Sequence, residues 1–307
     1  MATGEYGVSD VPLKAIQAEE IIYQASSLLS VTAPVIPEQL VQATRVEFDV
    51  TKGVVGEDQV DFDADAKHEK LAYTSLNVNL TWSMYPYMIN DKAKLQSRDP
   101  NTLWEDAAAS ASEFFATIRD YRTITALSAG NVNTHAAGAN WDASGADPEY
   151  DITTAINSIR SDSNWRPGES VTVIVPADVE GSLDQLNLIK NVQQTMRDYL
   201  EGSYARVASL QIVGYRPYLE YNTGTKLFDA LGSDALVVVN GRNTARFFKF
   251  DPAEAARRDV PLVEHSRIHG RGDYYTQKMG TGCRVVWDAL QSTNTKTTRC
   301  YKITGVT

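Results

Sequence analysis

Two alternating runs constrain this chain more than any other feature. ATRVEFDVTKGVV (43–55) puts Val46, Phe48 and Val50 on one side, and KLAYTSLNVNLTWSMYPYM (70–88) does the same with Leu76, Val78, Leu80 and Trp82. Period-two alternation marks strands with one buried face. The runs predict a long two-stranded excursion, and such a ribbon is marginal alone in water. Some surface must cover its apolar face, and the neighbouring sequence offers none.

Between the runs lies DQVDFDADAKHE, which packs Asp58, Asp61, Asp63, Asp65, Glu69 and His68 into twelve residues. In a strand, Asp61, Asp63 and Asp65 share a face and repel one another. A calcium loop starting at Asp61 needs glycine and a bidentate acid where Ala66 and Ala72 stand. HEKLA begins as a zinc-protease helix does, but Ala72 replaces the second histidine ligand. No metal is therefore expected here. A metal-dependent hydrolase built on this tract is the enzymatic alternative, and a stoichiometric transition metal in the purified chain would favour it.

The remaining motifs also favour plain readings. His265 and His269 in HSRIH sit in strand and turn sequence, with no acid or cysteine completing a ligand set nearby. GTGCRV (280–285) starts like a dinucleotide loop but lacks the third glycine and a strand–helix setting. RGD at Arg271–Asp273 reads as a charge pair at a strand edge, and the glycosylation triplet at Asn79 lacks a secretory signal. Neither a nucleophile elbow nor a phosphate loop is present. No catalytic residue and no cofactor is expected.

The chain has 307 residues, 43% hydrophobic content and a formal net charge of -10. One large domain or two medium ones fit that length. An acidic chain is poorly suited to grip phosphate backbones. Cys283 and Cys300 cannot make a disulfide framework; they are reduced thiols or a late staple between two C-terminal strands. The start MATGEYGVSD has no basic or apolar signal region, and no run is long enough to span a membrane, so synthesis in a cytoplasm is expected.

Residues 1–45 read as an arm with one loose helix, broken by Pro34 and Pro37. The strongest helix follows the ribbon. Asp99 caps it with Pro100 at N1, and Leu103, Ala107, Ala111, Phe114, Ile118, Tyr121 and Thr125 form one face before Gly130 and Asn131. After a small-residue loop comes a compact α/β stretch. DITTAINSIR is a helix capped by Asp151, VTVIVP a buried strand ended by Pro176, and LDQLNLIKNVQQTMRDYL a helix. VASLQIVGYRP is a strand, DALVVVNGRNTARFFKFDP a further strand pair, and the remainder is β-rich.

This order resembles the major capsid proteins of tailed bacteriophages and archaeal tailed viruses, the Hong Kong 97-type fold, over nearly the whole chain. Trp141, Asp147–Pro148, DITTAINSIR and WRPGESVTVIVP are similar to the family's approach to its A domain. The turn Arg166–Pro167–Gly168 departs from the family's more frequent Gly-before-Pro order. The resemblance implies an α+β chain with an N-terminal arm (1–45), an E-loop (46–95), a spine helix with the first part of the P domain (96–140), an A domain (141–264) and the C-terminal P-domain strands (265–307). It implies a shell protein whose copies form hexamers and pentamers in an icosahedral virion. The shell is assembled in host cytoplasm around double-stranded DNA without sequence-specific binding or a membrane. No long helical segment precedes the arm, so a separate scaffolding protein or none is expected. A portal and a decoration protein are further partners. A nanocompartment shell enclosing an enzyme is the alternative within the fold.

On this reading the ribbon and arm lie on a neighbouring copy. The acidic tract is then either a docking surface or a solvated loop tip. Its basic counterparts would come from Arg242, Arg246, Lys249, Arg257, Arg258, Arg267, Arg271 and Lys278, with charge complementarity setting register.

Overall fold

The computed structural model describes residues 22, 24–51, 73–97, 100–129, 132–143, 145–162, 169–185, 210–220, 223–287 and 299–307. The strands are β1 (Glu38–Val41), β2 (Arg45–Thr51), β3 (Tyr73–Asn79), β4 (Thr81–Asn90), β5 (Asn133–Ala136), β6 (Val171–Pro176) and β7 (Leu210–Tyr215). They continue with β8 (Tyr218–Leu219), β9 (Lys226–Leu227), β10 (Ala235–Val239), β11 (Ala245–Phe250), β12 (Val263–Ile268), β13 (Gly272–Val285) and β14 (Cys300–Thr304). The helices are α1 (Asp91–Gln96), α2 (Pro100–Ala129), α3 (Pro148–Asp162), α4 (Ala177–Gln185) and α5 (Pro252–Arg257).

One sheet runs β1-β11-β13-β12, with β4 along the other side of β13; a second runs β5-β14-β10-β6-β7. In the second sheet β6 and β10 are buried at every position. Val171, Val173, Val175, Ala235, Val237 and Val239 pack with Ile152, Ile156 and Ile159 of α3 on one face. Ile174, Leu236 and Val238 meet Ile124 and Leu127 of α2 and Phe247 of β11 on the other. Helices or strands cover both faces, so these strands read as unbroken apolar runs.

The ribbon finds its covering surface within its own chain. β2 and β3 pair only with each other, from Arg45↔Asn79 to Thr51↔Tyr73, and their apolar side packs on Phe248 and Val286 of the body. The rest of the second run, β4, pairs with β13 from Thr81↔Thr281 to Asn90↔Gly272. That partner lies far away in sequence, which is why the neighbouring sequence did not supply it. The arm is also not loose over its described part. Val35 and Ile36 are fully buried, and β1 pairs in parallel with β11.

Three local expectations change. The expected face of α2 drifts, because the buried apolar set is Ala108, Ala111, Phe115, Ala116, Ile118, Ile124 and Leu127, while Thr125 is exposed. Asp151 is not a cap; Asp147 caps α3, accepting from the Tyr150 N–H at 3.0 Å, and Asp151 lies buried inside the helix. β10 and β11 do not pair with each other but enter different sheets, separated by a turn where Gly241 takes φ 123°. The 264/265 boundary falls inside β12, and β14 joins β10 in the second sheet.

Gly272 opens β13 with φ 145°, and a Cβ there would run into the Ile89 carbonyl oxygen and lie 2.8 Å from Asn90 Cα. Both neighbours are backbone of the paired strand and cannot swing aside. Gly272→Ala is expected to lower unfolding stability by about 2–4 kcal/mol, read from a urea titration; a loss under about 0.5 kcal/mol would contradict this packing.

Candidate functional site

A buried polar latch ties the arm to the long helix. Ile118 and Tyr121 flank a charged pair, Arg119 and Asp120, each about 5% exposed or less. Asp120 Oδ1 accepts from Ser30 Oγ (2.5 Å), Thr32 Oγ1 (2.7 Å) and Thr32 N (2.9 Å), and its Oδ2 accepts from Val31 N (3.1 Å). Burial pushes the Asp120 pKa up, opposed by these four donors. One helix position earlier, Arg119 donates to Glu38 Oε2 and to the Ile36 carbonyl (3.3 Å), and its guanidinium stacks 4.6 Å over the Phe247 ring. Ser27 Oγ donates to the same Glu38 oxygen at 2.8 Å.

Lys249 completes the latch from β11. It is 2% exposed, with Nζ 3.8 Å from Glu38 Oε1 and 3.3 and 3.2 Å from Ser26 and Ser27 Oγ. Sequence reading grouped Lys249 with the surface cations; the fold instead buries it under the arm. Burial lowers its pKa to about 8, with Glu38 opposing that shift. The unfolded lysine, near its ordinary 10.5, holds its proton longer as pH rises. Between those values the unfolded state binds more protons, so stability from this group rises with pH. Relative to Lys249→Met, the parent should gain up to about 3 kcal/mol between pH 8 and 10.5, measured by chemical denaturation along the pH series. A flat difference would contradict the lowered Lys249 pKa, because the folded and unfolded lysines would then titrate together. The arm carries hydroxyls in SSLLSVT and the helix a charged pair on its apolar stripe; together these were the missed signal.

Several of the described basic residues have partners within their own chain. Arg257 and Arg258 both hold the buried Glu254 of their own helix α5, at 3.0 and 2.6 Å. Arg267 reaches Asp91 at 3.8 Å and Asp273 at 4.0 Å, and Lys278 pairs with Glu264. Arg246 lies 4.6 Å over the Phe48 ring. Arg242 and Arg271 are exposed. Asp58, Asp61, Asp63, Asp65, His68 and Glu69 lie outside the described residues, as do Lys52, Lys67 and Asp99. Two acids read from sequence as a helix cap and a strand-edge charge, Asp151 and Asp273, are buried instead. Asp273 accepts from Lys94 and lies 3.1 Å from His265 Nε2, and Lys94 and His265 hold its pKa below the usual range against burial. Asp151 accepts from Trp141 Nε1 at 3.0 Å and lies 3.2 Å from His135 Nε2.

Among the described residues, no three histidines, cysteines or acids group as metal ligands. Cys283 and Cys300 are free thiols on strands of different sheets, and burial pushes both pKa values up, that of Cys283 to about 12. A thiol held protonated is a poor nucleophile. No described helix is long and apolar enough to cross a membrane.

β4 keeps an exposed apolar row on the outer side of the first sheet. Along β4, Tyr85 and Tyr87 turn inward, Tyr85 to Phe114 at 5.2 Å and Tyr87 to Tyr275 at 5.2 Å, and Trp104 of α2 meets Tyr275 at 4.6 Å. Met84, Pro86 and Met88 alternate with them on the outer side, the methionines 55% and 47% exposed.

No family model matches this chain, and no curated protein matches it. Solved structures do. A crystal structure titled as a virus-like particle from Pyrococcus furiosus aligns with 94% of this chain and 98% of its own, at TM-score 0.55 and 10% identity. The capsid structure of the Cyanophage P-SCSP1u aligns with 90% of this chain and 88% of its own, at TM-score 0.55 and 12% identity. The capsid of Myoviridae Phage XM1 aligns with 99% and 94%, at TM-score 0.53 and 15% identity. The architecture is an α+β capsid-type fold. It is the Hong Kong 97-type fold that the order of elements in the sequence resembles.

Proposed function

We propose that this chain is a shell-forming major capsid protein. Its copies associate as hexamers and pentamers into an icosahedral virion shell around double-stranded DNA, without catalysis. The observation that carries the reading is structural likeness over nearly the whole length to chains of a virus-like particle and two phage capsids. The exposed Met84–Pro86–Met88 row on β4 supports it, because exposed apolar surface of this kind suits association. An acidic chain suits a container that encloses DNA without gripping it. Rings need complementary patches on one chain.

The test is light scattering after size exclusion of the chain expressed alone and under crowding that favours assembly, with negative-stain images of the main peak. Rings or closed shells are expected. A monomer under both conditions at every salt concentration would refute the reading. A nanocompartment shell is the second reading, since the virus-like particle and the cyanophage capsid match this chain at the same TM-score. Nucleic acid against protein inside purified particles separates the two.

Within this reading the tract carrying Asp58, Asp61, Asp63, Asp65 and Glu69 docks against exposed cations of a neighbouring copy, with Arg242 and Arg271 the best placed. Complementary charge fixes register and rejects wrong pairings. Reversing Asp61, Asp63 and Asp65 to lysine should slow assembly and flatten or invert its salt dependence; unchanged kinetics across a salt series would leave the tract as a solvated tip.

A further inference from the structure

Gly280 and Gly282, the GTGC motif that resembles a nucleotide loop in sequence, lie in β13 where the hairpin meets the body. A Cβ on Gly282 would stand 3.0 Å from Val78 Cγ2, 3.2 Å from the Asn79 carbonyl oxygen and 3.2 Å from Leu80 Cδ2. Those atoms belong to three consecutive residues of one strand exit, and one is backbone. No rotamer change relieves all three, so the strand itself must move. Farther along, Phe48 touches both the Phe248 ring (5.3 Å) and the Arg246 guanidinium (4.6 Å), and Val50 and Leu76 pack with Val286.

We infer that Gly282 is the seat that sets the angle at which the β2–β3 hairpin leaves the body, with the Phe48–Phe248–Arg246 contact as its second support. Each hairpin strand is seven residues long, roughly 23 Å at 3.3 Å per residue. The strands rest on the body at three levels, Val78 on Gly282, Phe48 on Phe248 and Arg246, and Val50 with Leu76 on Val286, so a displacement at Gly282 tilts the pair against its two outer supports. Resting on the shell reading above, the same seat then selects shell curvature, because the hairpin angle decides where a neighbouring copy is met. Gly280 serves as an internal control. Its Cβ would meet the Trp82 ring at 3.3 Å and Phe250 Cβ at 3.4 Å, on β4 and β11 and not on the hairpin.

The experiment places spin labels, on genetically encoded ketone side chains, at Asn77 of the hairpin and Thr125 of α2 in the full chain. The mean separation should shift for Gly282→Ala and shift further for Gly282→Val. Gly280→Ala should leave it unchanged, and Val78→Ala added to Gly282→Ala should move it back towards the parent value. Unchanged separations in Gly282→Ala, with the parent's melting behaviour, would overturn the seat; if Gly282→Val fails to fold, the alanine and double variants decide. Particle diameter is then compared by electron microscopy. A moved hairpin with the parent's diameters would overturn the curvature role. A parent that forms no particles would refute the shell reading while the label distances still judge the seat.

Discussion

Asp120→Ala is expected to lower unfolding stability by about 3–5 kcal/mol and the melting temperature by on the order of 10 °C. The carboxylate is buried and accepts four hydrogen bonds, two from main-chain N–H groups of residues 31 and 32 and two from hydroxyls. Alanine leaves all four donors without their acceptor, where water enters poorly. Asp120→Asn keeps the shape but turns one oxygen into a donor facing donors, so a smaller loss of about 1–3 kcal/mol is expected. Guanidinium titration of the three proteins checks both values. The pattern would be contradicted by an alanine variant within about 1 kcal/mol of the parent, or by an asparagine variant worse than alanine.

Glu38→Ala is expected to cost about 3–5 kcal/mol through a different route. It strands two buried cations, Arg119 at 4% exposure and Lys249 at 2%. Like charges in a dry site repel strongly, and the cheaper adjustment is loss of the Lys249 proton. The variant should therefore recover part of its deficit at high pH, because Glu38 is the group that opposes the fall of the Lys249 pKa. The double variant Glu38→Ala with Lys249→Met should be more stable than Glu38→Ala alone, since it removes one stranded charge. A double variant as weak as the sum of both singles would count against the coupling. Amide exchange in residues 24–41 should rise in Glu38→Ala, because the arm loses its hold on α2 and β11.

How much of this was legible beforehand depends on the reach of each signal. VTVIVP and ALVVV read as buried strands because each residue's apolar character is local information, and both are buried throughout. The long helix was equally plain from Pro100 at its start and the recurrence of apolar residues along it. Its true face was not, since Arg119 and Asp120 look like surface residues until Ser30, Thr32 and Glu38 stand opposite them. Asp151 looked like a cap because aspartate suits one; Trp141 and His135 give it an interior role.

The order of arm, ribbon, long helix and α/β unit was thus a property of the sequence, set by alternation, caps and turn residues that act over a few positions. The partners were not. β4 finds β13 across nearly two hundred residues, Lys249 is buried by an arm more than two hundred residues earlier, and Gly282 matters because Val78 comes to rest on it. Periodicity says which side of an element is apolar but carries no address for the surface that covers it. That address is decided only when the whole chain closes, because burial and hydrogen-bond satisfaction belong to the assembled packing and not to any one segment.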